Sequence, residues 1–187
     1  MRALPFAALL VLAAAAPSRA ADDYVLDEMH TAATFKISHI NLSWTYGRFD
    51  AVAGAFTIDA DDAAKSSFEL SIKTESIDTN NAKRDEHLRS PDFFNVKQFP
   101  TMAFKSTAVK AVDGGYEVTG DLTLHGVTKP VTFTLKGGKT AEFPKGVKRT
   151  GYSTDLKIKR SDFGMDKLLE AVGDDVYIAV SFEGTKK

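Results

Sequence analysis

Four histidines are the residues of this chain best suited to chemistry, yet none stands in a known metal-binding spacing. His30, His39, His87 and His125 are far apart in sequence, without an H-E-x-x-H pattern or a second ligand a few residues away. A zinc or iron site would have to be assembled across several strands. The alternative is that the histidines lie in turns or at strand ends and hydrogen-bond to backbone, and His125-Gly126 fits a tight turn.

Other catalytic patterns have no support in the sequence. Serines are plentiful, but no G-x-S-x-G elbow, G-x-G-x-x-G or P-loop occurs. Asp61-Asp62 and Asp174-Asp175 fall in polar turns, where solvated acids are expected. The chain has no cysteine, which excludes thiolate chemistry, disulfides and a lipoprotein anchor. We expect no enzyme, cofactor or metal; a periplasmic enzyme with a cross-strand histidine metal site is the alternative.

Period-two alternation of apolar residues runs through the chain and predicts about eight strands. Phe68, Leu70 and Ile72, for example, alternate with polar neighbours, so one face of their strand is dry and the other wet. Short spacing and turn residues such as Asp113-Gly114-Gly115 favour an all-β fold, an antiparallel barrel or a sandwich. The other inward sets are Phe35, Ile37 and His39; Val52, Gly54, Phe56 and Ile58; Met102 and Phe104; Tyr116, Val118, Leu122 and Leu124; Val131, Phe133 and Leu135; Tyr152, Thr154, Leu156 and Ile158; and Val176, Ile178, Val180 and Phe182.

Two segments depart from the β pattern and predict short helical inserts. In residues 81–94, Asn80 or Asn81 can cap a helix, and Asp85 and Arg89 stand at i and i+4. This insert ends in Phe93-Phe94, two aromatic rings that either fill the core or face a cavity. The second segment is 164–173, where Met165, Leu168 and Leu169 would share an apolar helical face.

The first twenty residues have the features of a signal peptide. Arg2 is followed by the apolar run Leu4–Ala16 and by Ser18-Arg19-Ala20, which predicts cleavage after Ala20. One domain over residues 22–187, located in the periplasm and not embedded in a membrane, is the expectation. Removal of residues 1–20 takes away two arginines and no acid, so the net charge changes from −1 to about −3. That charge balance argues against a nucleic-acid partner.

The number of aromatic residues raises the question of a cavity. The chain has 13 phenylalanines and one tryptophan, and most of the phenylalanines fall on inward faces or in the inserts. A well-filled core explains each of them singly. However, a barrel of about eight strands is either just filled by side chains or wide enough for one small ligand. A hollow barrel with aromatic residues beside its openings is therefore the second interpretation.

Several motifs spread over the chain resemble the YceI-like family of secreted bacterial proteins. The resemblance implies a lipocalin-like antiparallel β-barrel whose elongated apolar interior accommodates a polyisoprenoid or another long amphiphilic chain, a periplasmic location and no catalysis. The family often has Ser after its first His, where this chain has Thr31. The motifs are Asp27-x-x-His30-Thr31-x-x-x-Phe35-x-Ile37-x-His39, Gly47-Arg48-Phe49, Asp85-x-His87-Leu88-Arg89-Ser90-x-Asp92-Phe93-Phe94, Phe99-Pro100-Thr101-x-x-Phe104, Gly120-x-Leu122-Thr123-x-His125-Gly126-Val127-Thr128-Lys129-Pro130-Val131, and Arg160-x-Asp162-Phe163-Gly164.

We therefore predict a carrier for a long-chain lipid of polyisoprenoid or fatty-acid type, with monomer and homodimer both left open. Its polar residues would contact the head group at the mouth or have a structural role, and Arg84 is a further candidate for an anionic head group. The predicted polar set is His30, His39, Asp85, His87, Arg89, His125 and Arg160. The predicted cavity lining is Phe35, Ile37, Phe49, Phe56, Phe68, Leu70, Phe93, Phe94, Phe99, Met102, Phe104, Leu122, Leu124, Phe133, Phe163, Met165, Leu168, Leu169 and Ile178.

Overall fold

A computed structural model describes residues 21–187, so the predicted signal peptide lies outside the described residues. Strands dominate this part of the chain, with one short α-helix and four 3-10 turns. The strands are β1 Asp22–Leu26, β2 Ala32–His39, β3 Ser43–Phe49, β4 Val52–Ile58, β5 Ser67–Lys73, β6 Ile77–Asp78, β7 Thr101–Val112, β8 Gly115–Leu124, β9 Val127–Glu142, β10 Lys148–Lys159 and β11 Val172–Lys186. The helix α1 is Ala82–Arg89, and the 3-10 turns are Glu28–His30, Ala63–Lys65, Thr74–Ser76 and Arg160–Phe163.

The strands close into one antiparallel barrel. The long strand β11 pairs with β10 on one edge, while its other edge pairs with β2 over its first part and with β1 over its last residues. A short turn separates β1 from β2, and the two strands together fill one position in the wall. The same holds for β3 followed by β4 and for β5 followed by β6, so the eleven strands fill eight positions. The predicted antiparallel barrel of about eight strands is confirmed.

The alternation of side chains explains why these segments pair as they do. In β10, Tyr152, Thr154 and Ile158 are buried, whereas Ser153 and Asp155 between them are exposed. A shift of one residue would expose the whole apolar set, which is why the register is well specified. β1 and β3 were not among the predicted strands. Both complete the wall by pairing with predicted strands, β1 with β4 and β3 with β2.

One end of the barrel is filled by aromatic rings, which we call the aromatic plug: Tyr24, Phe56, Phe68, Tyr116, Tyr152 and Phe182. Phe56 is central, with its ring 4.9 Å from Tyr24 and 5.5 Å from Phe182 between centroids. Burial raises the pKa of Tyr152 to about 12. Strand directions place the plug at the end of the barrel opposite α1.

The first predicted insert forms a helix that is anchored to β6. The Asn81 side chain caps α1 by accepting from the backbone N–H of Arg84 at 3.0 Å. Asp85 is buried and accepts from the Thr79 backbone N–H at 2.9 Å and from the Thr79 hydroxyl at 2.5 Å. Arg89 donates to the carbonyls of Glu75 and Ile77 at 2.8 and 2.6 Å. The helix therefore has a defined position over one end of the barrel.

The second predicted insert is not a helix, so this prediction was wrong. Residues 164–171 form turns, and Leu168 has a left-handed backbone with φ of 58°. The N–H groups of Ala171 and Val172 both donate to the carbonyl of Leu168, at 3.0 and 2.7 Å. This turn leads the chain directly into β11, so the segment forms no helix before the strand begins. None of the helices in residues 21–187 is long and apolar enough to span a membrane.

Candidate functional site

A cavity of about 400 Å³ lies inside the barrel, between the aromatic plug and the opposite end, beside which α1 lies. This volume falls in the range of small-molecule sites, ~300 to 1,000 Å³. Fifteen of the predicted lining residues lie at its wall: Phe35, Ile37, Phe49, Phe68, Leu70, Phe93, Phe94, Met102, Phe104, Leu122, Leu124, Phe133, Met165, Leu168 and Ile178. Whether these side chains touch a ligand stays a prediction.

Four of the predicted lining residues lie elsewhere, and packing explains each correction. Phe56 is surrounded by rings at the centre of the plug and is 2 % exposed. Phe99 packs edge-on against His125, with centroids 4.6 Å apart, and covers Gly126. Phe163 is buried beneath the wall with Ile158 and Leu124. Leu169 is 41 % exposed on the turn before β11.

The wall also includes residues that the sequence analysis did not select as lining. Most of them share an inward face with residues that it named, so the alternation already contained the signal. Thr45 lies in β3, which was not among the predicted strands, and Leu88 lies in the predicted helical insert but was not named as a lining residue. The inward-face members are Ile72, Val131, Leu135, Thr154, Leu156, Ile158, Val176, Val180 and Phe182.

Phenylalanine rings cover inward-facing glycines along the wall. A Cβ at Gly47 would lie 2.4 Å from Cζ of Phe35, and a Cβ at Gly120 would lie 2.5 Å from Cζ of Phe104. Phe35 and Phe104 both line the cavity. A ring that lies flat against a glycine projects less into the barrel, so these pairs keep the interior open.

Four of the exposed residues that line the cavity lie at the α1 end and mark its mouth: His39, Arg84, His87 and Leu168. Arg84 donates through Nε to the Thr79 hydroxyl at 2.7 Å and through Nη2 to the Thr79 carbonyl at 2.6 Å. Its guanidinium is therefore held at the mouth with donors to spare. Most of the polar groups of the wall lie at this end, whereas the interior is apolar.

An ion pair joins the two segments that border the mouth. Lys167, in the turn before β11, lies 3.7 Å from Asp92, which follows α1, and His87 Nε2 lies 3.0 Å from the other Asp92 oxygen. The hydrogen bond with His87 and the charge of Lys167 hold the pKa of Asp92 below its usual range. These contacts connect the α1 insert to the 164–171 turn beside the mouth.

Arg160 lies in the wall, but its guanidinium is engaged by backbone. It is 3 % exposed and donates to the carbonyls of Gly173, Met165 and Val172 at 2.9, 2.7 and 2.8 Å. Burial lowers the pKa of Arg160 below its ordinary value. The arginine thus joins the end of β10 to the start of β11. This structural role leaves fewer of its N–H donors for a head group.

The histidines do not form a common metal site in residues 21–187. His125 Nδ1 lies 3.2 Å from the Phe163 carbonyl, which fits the expected contact between a turn histidine and backbone. Asp27, His30 and Glu183 have ligand atoms within 4.8 Å of one another, but this group includes one histidine. Arg149 binds Asp27 and lies 3.5 Å from Glu183, so the Arg149 guanidinium already balances the negative charge of these two carboxylates.

Comparisons with known proteins cover nearly all of the described chain. A family model described as the YceI-like domain matches residues 24–184. The chain is 40 % identical over 186 residues to Protein YceI of Escherichia coli strain UMN026, covering 98 % of this chain and 96 % of that protein. A crystal structure of a Campylobacter jejuni YceI protein has a TM-score of 0.72 at 30 % identity, covering 80 % of this chain and 90 % of that one.

A more distant solved structure shares the fold. It is a polyisoprenoid-binding domain from Saccharophagus degradans, implicated in plant cell wall breakdown. Its TM-score is 0.67 at 18 % identity, and the match covers 88 % of this chain and 98 % of that domain.

Proposed function

Because this chain belongs to the YceI-like family, we propose that it is a periplasmic carrier that holds one long-chain amphiphile in its barrel. The observation that carries this proposal is the apolar cavity of about 400 Å³, closed at one end by the aromatic plug and open at the α1 end. A cavity of this kind accepts a chain lengthwise and leaves a polar head group at the mouth.

The energetics favour a long chain over a short one. Burial contributes about 0.8 kcal/mol per methylene, so about ten methylenes contribute ~8 kcal/mol. Association itself costs ~4 to 15 kcal/mol. Only a chain buried along most of its length therefore binds tightly, which favours a polyisoprenoid or a long fatty chain. The polyisoprenoid-binding domain from Saccharophagus degradans, which shares the fold, is consistent with the first of these.

The proposed head group lies beside Arg84 and His87. Arg84 has guanidinium donors beyond the two that bind Thr79, and a guanidinium can donate in pairs to a phosphate. Arg89 is less suited because, unlike Arg84, it does not line the cavity. Arg160 is less suited because its guanidinium is buried and donates to three backbone carbonyls. The proposed role is binding without catalysis.

The periplasmic location rests on residues 1–20, which have a charged start, an apolar run and small residues before Ala21. Fractionation of cells that produce the whole chain, followed by N-terminal sequencing, tests this part. We expect a periplasmic protein that begins at Ala21. A cytoplasmic protein that retains Met1 would contradict it.

Mass spectrometry of an organic extract tests the ligand proposal. Protein purified without detergent is extracted, and the extract is compared with one from the same amount of an unrelated periplasmic protein. We expect a long-chain amphiphile in near-stoichiometric amount. An empty extract, together with no uptake of added polyprenyl phosphate or long-chain fatty acid, would overturn the proposal.

A pair of tryptophan variants on β8 separates occupation of the cavity from general damage. Leu122 lines the cavity, whereas Asp121 beside it is exposed on the outer face. Leu122→Trp should fill the cavity and reduce lipid uptake at least about tenfold, as expected for several lost methylene contacts. Asp121→Trp is the matched control and should bind normally.

A further inference from the structure

Apolar side chains are exposed on the rim of the cavity mouth. The turn between β2 and β3 carries Ile40 and Leu42, which are 48 % and 81 % exposed. The turn before β11 carries Leu168 and Leu169, which are 37 % and 41 % exposed. A hydrogen bond of 2.7 Å from the Ile40 N–H to the Ala171 carbonyl joins the two turns. We call these four residues together with Trp44, which is 44 % exposed, the rim patch.

The rim patch is continuous with the cavity. Leu168 belongs to both, because it lines the cavity and is also partly exposed on the rim. His39, immediately before Ile40, also lines the cavity. An apolar chain that leaves the cavity therefore meets apolar side chains before it meets water.

Side chains on the outer face change in a regular order with distance from the rim. Leu42 is at the tip, Trp44 lies two residues further along β3, and Tyr46 lies two residues beyond that. At about 3.3 Å per residue these steps are ~7 Å each along the strand. Tyr177 and Lys36 pair at the level of Tyr46. Apolar tip, then tryptophan, then tyrosine and lysine is the order in which side chains meet the interior and head groups of a bilayer.

Lys36 supplies a charge suited to phospholipid head groups. Its ammonium lies 4.9 Å from the centroid of the Trp44 ring and 5.4 Å from that of Tyr177. Among residues 21–187, no carboxylate forms an ion pair with Lys36. Cations next to exposed aromatic and apolar groups are attracted to anionic lipid surfaces.

We propose that the rim patch docks on the surface of a phospholipid bilayer, with Leu42 and Ile40 inserted and Trp44 at the head-group level. This inference rests on the proposed function, because a carrier for a lipid must exchange its cargo with a membrane. Docking in this orientation points the cavity mouth at the bilayer. The lipid then moves between bilayer and cavity without crossing water.

Vesicle flotation tests the docking, with vesicles of phosphatidylethanolamine and phosphatidylglycerol. We expect the wild-type protein to float with the vesicles, less with phosphatidylcholine alone, and Leu42→Asp to lower the bound fraction at least about tenfold, as loss of one inserted leucine implies. Met29→Asp is the matched control, because Met29 is 89 % exposed away from the mouth. It should float like wild type.

Trp44 provides an intrinsic probe, since the chain has one tryptophan. On addition of vesicles, we expect its emission to shift to shorter wavelength and to be quenched by lipids brominated near the head group. A wild-type protein that neither floats nor shows this shift would overturn the docking proposal. A change in oligomeric mass for Leu42→Asp, without an effect of vesicles on wild type, would assign the patch to a second copy of the chain instead.

Loading without membranes distinguishes this inference from the proposed function. Polyprenyl phosphate is delivered from cyclodextrin, and protein-bound lipid is measured after gel filtration. Leu42→Asp should load normally yet transfer the lipid to vesicles at least about tenfold more slowly. Failure of wild type to load would contradict the proposed function. Equal transfer by wild type and Leu42→Asp would contradict only the docking.

Discussion

The ring of Phe35 lies directly over Gly47, so that a Cβ on Gly47 would approach Cζ of Phe35 to 2.4 Å. The two residues are Cα partners in the pairing of β2 with β3. The same Cβ would approach Cγ2 of Thr79, the residue that anchors α1, to 2.9 Å. Gly47 therefore determines how far the Phe35 ring projects into the cavity.

Gly47→Ala should reduce lipid binding more than it reduces stability. The added methyl group displaces the end of the Phe35 ring into the cavity. The ring can move in that direction because the cavity offers space there. We expect about 1 kcal/mol lower free energy of unfolding, at the low end for an added methyl, and several-fold weaker uptake of polyprenyl phosphate. Phe35→Leu in the same protein should restore part of the uptake, because it removes the displaced ring. Additive effects of the two changes would contradict this explanation.

Phe94 and Phe56 should respond differently to truncation. Phe94 lies at the cavity wall with its ring edge-on to Phe49 at 5.5 Å, whereas Phe56 lies at the centre of the aromatic plug. Phe56→Ala should lower the free energy of unfolding by ~3 to 5 kcal/mol. Phe94→Asp should weaken lipid uptake with a smaller loss of stability. If urea denaturation shows that Phe94→Asp lowers the free energy of unfolding as much as Phe56→Ala does, this ring belongs to the core.

Arg160→Met should destabilise the protein by at least about 3 kcal/mol, because it leaves the carbonyls of Met165, Val172 and Gly173 without their donors. Lys159→Met is the control on the neighbouring exposed position and should change stability little. Urea denaturation measures both. Unchanged stability of Arg160→Met with lost lipid uptake would instead assign Arg160 to the head group.

Asp22 should contribute to stability near neutral pH and lose that contribution in acid. Hydrogen bonds from Lys186 and Lys148 lower the pKa of Asp22 from 3.8 to about 2. Since the folded-state pKa is the lower one, the contribution is complete above pH ~4 and is lost as pH falls towards 2. Asp22→Asn should lower stability at neutral pH by about 1 kcal/mol after allowance for solvent screening.

The measurement for Asp22→Asn is urea denaturation over this acid range, where the variant should lose less stability than wild type as the pH falls. Asp113→Asn, in the exposed turn between β7 and β8, is the control. Parallel pH curves for wild type and Asp22→Asn would contradict the assignment. The contact matters to the fold because Lys186 lies near the end of β11, so the ion pair helps to hold the first and last strands together.

Predictions from the sequence were most accurate where alternation is strong. Phe133 and Ile178 lie on strands with clear alternation, and both lie at the cavity wall; their contact with a ligand stays a prediction. Leu168 and Leu169 were predicted on a helical face, because their spacing suits a helix as well as an irregular turn. The left-handed backbone at Leu168 belongs to a turn in which the N–H groups of Ala171 and Val172 both donate to the Leu168 carbonyl. The spacing of apolar residues contains no information about this backbone geometry.

The sequence by itself determined the class of the fold, the inward faces and the family, because side-chain alternation and the order of motifs are properties of the chain alone. Only the tertiary structure decided which inward phenylalanines fill the barrel and which line it. Phe56 and Phe68 both alternate correctly, yet only Phe68 reaches the cavity. The physical reason is that position along the barrel axis depends on the registers of all the strands together, whereas alternation specifies only the face.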